Sequence, residues 1–136
     1  MLQKAEHDLA RMKEELNAYT LFNFFVTCYH IADYVRAANS EAEADLDALY
    51  KDDEFQLVRF LCNRGKHLEL KPSNEREHHE LLMGARSGIA RSGAFRSGEP
   101  VRWHIFVEGQ RVYPVPLGET VLEKWRKFFD ENGIDR

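Results

Sequence analysis

The sequence predicts a mainly α protein: an antiparallel bundle of about four to five helices with a small C-terminal β-hairpin before the last helix. Three observations carry this expectation. Apolar residues recur at spacings of three and four through residues 2–35 and again through 121–129. One short stretch, 101–115, alternates apolar and polar residues instead. Capping and helix-stopping residues fall between these segments, at Asn39-Ser40, Asp52-Asp53, Pro72 and Asn132-Gly133.

Taken in order, Leu2, Ala5, Leu9, Met12, Leu16 and Tyr19 form a coiled-coil-like seam, with charges on the opposite face. The seam stays in phase through Asn23, Val26, His30 and Asp33, so residues 2–38 read either as one helix kinked near Asn17–Thr20 or as two. The stretch from Thr20 to Ala38 is apolar nearly all round, as a central helix would be. Ser40-x-x-Glu43 is a capping-box pattern opening a short acidic helix, with Leu46, Leu49 and Tyr50 inward. Asp52 or Asp53 caps a fourth helix running to about His67, with Phe55, Val58, Leu61 and Cys62 as its inward stripe. Pro72 stops any helix before it. A weaker helical pattern covers Asn74 to Met83.

Gly84 to Pro100 repeats Arg-Ser-Gly three times at a period of five, a composition that reads as a flexible loop. Val101, Trp103, Ile105 and Val107 then share one face of a strand, Glu108-Gly109-Gln110 turns, and 111–115 returns as an edge or short strand because of Pro114. Val121, Leu122, Trp125, Phe128 and Phe129 mark the final amphipathic helix, closed by Asn132-Gly133. At 136 residues the chain is expected to form a single domain, with a helical core over 1–70, the loop over 84–100, and hairpin plus helix over 101–136.

Hydrophobic residues make up 43% and charged residues 31%, with a formal net charge of -4, which excludes a disordered tail and a uniformly basic nucleic-acid binder. The charge is unevenly placed. Residues 1–58 hold five basic and twelve acidic side chains, whereas residues 59–136 hold fourteen and eleven, so a polyanion would prefer the second part. Cys28 and Cys62 form no disulfide framework and sit on apolar positions, and the N-terminus lacks a signal-peptide core. The expectation is a cytoplasmic protein that engages no membrane.

Chemistry concentrates in Arg59-Phe60-Leu61-Cys62-Asn63-Arg64-Gly65-Lys66-His67. On a helix, Arg59, Asn63 and His67 stand at i, i+4 and i+8 and form one stripe. Cleavage of RNA through its 2′-hydroxyl needs such a set: a His to move a proton near neutral pH, a cation for the phosphate and an amide to fix geometry. The same residues also read as a helix C-terminus with cations set against the macrodipole. A second polar stripe, Asn23, Thr27, His30 and Asp33 or Tyr34, crosses the central helix. There Asp33 can pair with Arg59 or orient His67, or the stripe can simply register two helices.

His30-Ile31-Ala32-Asp33-Tyr34, followed by Cys62-Asn63-Arg64-Gly65-Lys66-His67, resembles the HEPN superfamily of helical bundles, whose motif is Arg, then four to six residues, then His, often with Asn directly after the Arg. Asn63 and His67 match; Cys62 stands where the Arg would, with Arg59 one turn earlier and Arg64 one residue later. The resemblance covers about residues 1–70. It implies an RNA- or nucleotide-binding domain, commonly a homodimer. In active members it implies a metal-independent endoribonuclease of toxin, defence or RNA-processing systems, with a cognate antitoxin or other partner protein. Under that reading His67, Arg59 and Asn63 are the catalytic set, His30 and Asp33 support them, and Arg64 and Lys66 steer RNA. The displaced Arg tips the expectation toward binding without catalysis. The alternative is a non-catalytic dimeric helical interaction module, which the seam over residues 2–19 would serve.

Arg86, Arg91 and Arg96 of the repeated tripeptide either wrap a phosphate backbone or simply keep the loop soluble. His78-His79-Glu80 is a poor chelate, since neighbouring side chains diverge by about 100° on a helix. No metal or other cofactor is expected.

Overall fold

Asn17 decides how the N-terminal half is built. In the computed structural model, which describes residues 1–64, 71–73 and 102–135, its side-chain oxygen accepts from the backbone N–H groups of Tyr19 at 2.9 Å and Thr20 at 3.0 Å. Thr20 Oγ1 accepts in return from the Asn17 N–H at 3.1 Å. This reciprocal box starts a new helix, so the chain makes two: α1 (Leu2–Glu14) and α2 (Ala18–Ala38). Of the two readings left open by the sequence, one kinked helix or two, the structure has two. Leu2, Ala5, Leu9 and Met12 are buried, while Tyr19 is 82% exposed. α1 folds back along α2, where Thr27 Oγ1 accepts from Lys4 Nζ and donates to Asp8 Oδ2, both at 2.6 Å. That triad satisfies a polar group buried on an otherwise apolar face of α2.

The next cap is Asn39 rather than Ser40. Its side chain accepts from the Glu41 N–H at 3.0 Å and opens a 3-10 turn over Ser40–Ala42, which leads into α3 (Glu43–Leu49) with no side-chain cap. The expected Ser40–Glu43 box gives way to an amide oxygen one residue earlier. Helix α4 (Asp53–Arg64) follows Asp52, whose carbonyl accepts from the N–H groups of Phe55 and Gln56. Phe55, Val58 and Leu61 are fully buried, as their spacing predicts, whereas Cys62 is only half-buried.

Among the described residues, three short antiparallel strands form the sheet, in the order β1 (Lys71–Ser73), β2 (Arg102–Val107), β3 (Gln110–Val112). Pro72, expected only as a helix stop, lies on an edge strand opposite Trp103. An edge is where a residue without an N–H is tolerated. Glu108 and Gly109 both have positive φ, 50° and 79°, the signature of a two-residue turn whose twist matches the strands. The return strand stops at Val112, short of the expected 115. Pro114 instead opens α5 (Pro114–Glu131), because a proline pre-set for the first helical turn lacks a donor that turn would leave unused. Ile105 and Val107 are buried as expected, but Trp103 is exposed and His104, on the opposite face, is buried.

Val121, Leu122, Trp125, Phe128 and Phe129 of α5 are buried, together with Leu117. The Trp125 ring meets Phe55 of α4 at 5.3 Å and Phe128 at 5.6 Å, both edge-on, and Tyr50 at 6.2 Å. The helix closes at Gly133, with φ 60° and the Ile134 N–H reaching the Phe129 carbonyl at 3.0 Å. Among the described residues no helix is long and apolar enough to cross a membrane. The mainly helical fold with a hairpin before the last helix is the one the sequence predicts.

Two predictions follow from this packing. A Cβ at Gly118 would stand 2.8 Å from the Phe24 ring, 3.0 Å from Leu9 and 3.1 Å from Met12, so α5 crosses α1 and α2 where only glycine fits. Gly118→Val overpacks that crossing and should cost about 2 kcal/mol, read as a lower urea midpoint at unchanged m-value. Lys124 Nζ donates to Asp52 at 2.7 Å and to Glu54 at 2.8 Å, tying α5 to the start of α4. Burial pulls its pKa down, but these hydrogen bonds and the two carboxylate charges outweigh burial and leave it above the usual 10.5. The stabilisation is therefore complete below 10.5 and fades as pH rises through the elevated value. Lys124→Met should cost about 1 kcal/mol at pH 7, and the two proteins should converge in stability under strong alkali.

Candidate functional site

Helix α4 presents Arg59 and Asn63 one turn apart on its solvent face, because Phe55, Val58 and Leu61 anchor the opposite face in the core. Arg59 makes no ion pair among the described residues, a contrast with most other cations of the bundle. Lys4, Lys13, Lys124 and Arg126 are all held by carboxylates, at Asp8, Glu119, Asp52 with Glu54, and Glu6 respectively. The groove between α1 and α5, floored by Leu9 and Leu122, is bridged by two of these pairs and so offers no open cation.

The second stripe behaves differently from expectation. His30, Asp33 and Tyr34 lie on the exposed side of α2, and of the stripe only Thr27 is buried. Asp33 Oδ2 is 2.8 Å from His30 Nδ1, and its Oδ1 accepts from Arg36 at 3.5 Å. The expected Asp33–Arg59 pair is absent because Asp33 is satisfied within its own helix, at spacings of three where side chains on one turn meet. With a carboxylate at Nδ1, the His30 ring is oriented by its own helix, and its Nε2 has no partner among the described residues.

Of the other residues singled out from the sequence, Arg64 is the last described residue of α4, and its side chain lies outside the described residues. Lys66, His67, His78, His79, Arg86, Arg91 and Arg96 also lie outside them. The alignment of His67 with Arg59 and Asn63 therefore rests on helical spacing alone. Among the described residues no three His, Cys, Asp or Glu side chains gather as metal ligands would.

One group escaped the sequence reading. On the sheet, Phe106 is 43% exposed, with Lys71 Nζ 5.7 Å and Arg111 Cζ 5.6 Å from its ring centre. The half carried by the hairpin was recoverable: a two-residue turn at Glu108-Gly109 places Arg111 opposite Phe106. Lys71 comes from a distant segment and had no local signal.

The two thiols report on opposite sides of α4's neighbourhood. Cys28 is sealed within α2. Burial raises its pKa well above the ordinary value, Asp8 adds to the rise and Lys4 partly opposes it. Cys62 is raised by burial alone and is half-exposed beside Asn63. Iodoacetamide at pH 8 should label Cys62 in the native protein, more slowly than a free thiol, and Cys28 only after denaturation, with mass spectrometry counting one adduct and then two. Compared with known proteins, the chain matches no family model, no curated protein and no solved structure.

Proposed function

We propose that this protein is a HEPN-like RNA- or nucleotide-binding bundle whose contact surface is the exposed face of α4, with binding favoured over cleavage. The observation that carries the reading is Arg59: exposed, in no ion pair among the described residues, and one helical turn from the exposed amide of Asn63. A phosphate is the natural occupant of such a site, since it accepts from a guanidinium in bidentate fashion and from an amide N–H beside it. Arg64, Lys66 and His67 follow in sequence and extend the same basic segment. Cys62 occupies the position of the family's Arg, which is the reason for placing binding first; where cleavage occurs, His67 is the proton-transfer residue and no metal takes part. The toxin, defence or RNA-processing setting, the homodimer and a cognate partner protein belong to the same proposal.

The interaction-module alternative drew on the seam of α1. Leu2, Ala5, Leu9 and Met12 of that seam are buried within the chain, where α1 packs against α2 and α5, and this supports placing the binding reading first.

Incubation of the protein with a mixed RNA pool in EDTA tests the proposal directly. Wild type should retard RNA, and Arg59→Ala should weaken retention about tenfold, the effect of removing one charge-assisted phosphate contact. Any cleavage should vanish in both His67→Ala and Arg59→Ala. RNA binding that is unchanged in Arg59→Ala, or no binding by wild type, would overturn it.

A further inference from the structure

We propose that Asn132 is a modification site held closed by its own fold. Its side chain deamidates, by ring closure onto the Gly133 nitrogen, only when the cap of α5 opens. The aspartate or isoaspartate formed cannot rebuild that cap. Neither α4 nor RNA enters into it.

The pair is chemically reactive. Asn132 is the only asparagine of the chain that precedes a glycine, and a residue without Cβ leaves its backbone nitrogen unshielded. Asn132 is half-buried and Gly133 exposed. Among the described residues, no atom beyond the chain neighbours lies within 4 Å of where a Gly133 Cβ would stand. Hydroxide takes the Gly133 N–H proton, and the nitrogen bonds to Asn132 Cγ. The Cγ–Nδ2 bond breaks, and Nδ2 leaves as ammonia after taking a proton from water. Water then opens the five-membered imide at either carbonyl. One opening gives aspartate; the other routes the backbone through the side chain as isoaspartate.

The fold opposes each step. The Gly133 N–H donates to the Asp130 carbonyl at 3.4 Å and the Ile134 N–H to the Phe129 carbonyl at 3.0 Å, the paired bonds of a left-handed glycine cap. Asn132 Nδ2 donates to the Phe128 carbonyl at 3.0 Å. Nucleophile and leaving group are thus both engaged as donors. Ring closure also needs the Gly133 nitrogen on the same side of the Cα–C bond as the Asn132 Cβ. With Asn132 ψ at 5°, it lies about a third of a turn away. That rotation carries Gly133 and Ile134 off the helix end, so the cap must open first. Ile134, packed against the core, holds it shut.

The product reverses the pairing. A carboxylate at 132 brings the Phe128 carbonyl an acceptor where a donor stood. Its charge also meets the negative end of α5, beside Asp130, Glu131 and Asp135. Each modification is therefore a one-way record that the helix carrying Trp125 has opened at its end.

The test incubates the full chain, folded and unfolded in urea, at one mildly alkaline pH and temperature. Peptide mapping by mass spectrometry follows the one-dalton gain and the isoaspartate at 132. The folded chain should react at least tenfold more slowly than the unfolded one, since only the opened fraction reacts. Ile134→Ala should speed the folded reaction about threefold and leave the unfolded rate unchanged, which a purely chemical effect would not do. In Asn132→Asp, the Gly133 and Ile134 amides should exchange hydrogen at least tenfold faster than in wild type. Circular dichroism confirms that each variant is folded. The closed site is overturned by equal folded and unfolded rates, by a folded rate that Ile134→Ala leaves unchanged, or by no product in either folded chain once the unfolded one is converted. Amides that exchange as slowly in Asn132→Asp as in wild type would overturn the one-way step.

Discussion

The indole of Trp125 is the constraint around which the rest of the protein is arranged. It is fully buried and makes edge contacts with Phe55 of α4, Phe128 of its own helix and Tyr50 at the end of α3. Tyr50 in turn donates its hydroxyl to the Tyr29 carbonyl of α2 at 2.7 Å. Burial raises the Tyr50 pKa, and the neighbouring Tyr29 adds to it, so the phenol stays a donor. Three helices are therefore oriented by one aromatic cluster, and edge-to-face geometry gives that cluster an angular preference that aliphatic packing lacks. The Trp125 N–H has no hydrogen-bond partner among the described residues, a cost the surrounding ring contacts offset.

From this arrangement the candidate contact surface on α4 and the attachment of the sheet follow. Because Phe55 is fixed against Trp125, α4 cannot roll, and Arg59 and Asn63 are committed to the solvent side. Because α5 starts at Pro114 directly after β3, the hairpin is attached to the same helix that carries Trp125. The sheet joins the core through Ile105, Val107 and Val112, and Tyr113, the residue between β3 and α5, is itself buried. The contact surface is helical and built on Arg59, a guanidinium in no ion pair among the described residues, one turn from Asn63.

Much of the fold was legible because local pattern and tertiary packing agree. The stripes of α4 and α5 and the Asn132-Gly133 stop each follow from spacing or from a residue with one favoured backbone state. Misreadings occur where two local signals compete. Ser40-x-x-Glu43 looks like a box, yet Asn39 precedes it and an amide oxygen serves the turn better. The seam through Tyr19 keeps its phase by coincidence, since a helix that ends and restarts after a three-residue break can leave the period undisturbed. Pro114 was read as a strand residue, although a proline also begins helices. At the candidate site, the exposure of Arg59 and Asn63 was implied by the burial of Val58 and Leu61. The outward position of His30 and Asp33 was not, because polar residues on an apolar helix can face either solvent or a buried partner. Lys71 lay beyond sequence reading, since strand pairing between distant segments leaves no periodic trace.

The pairing of Ser73 with Arg102 has a consequence for how the protein can change. The chain departs from one strand and re-enters the next at adjoining points, separated by the roughly 4.8 Å of a β-ladder. In the sequence, residues 74–101 connect these two adjoining points. Doubling the length of such a connection adds only about 0.6 kcal/mol of closure entropy. The length of the connection between these two strands is therefore a quantity that evolution, or an engineer, can vary at small cost in closure entropy.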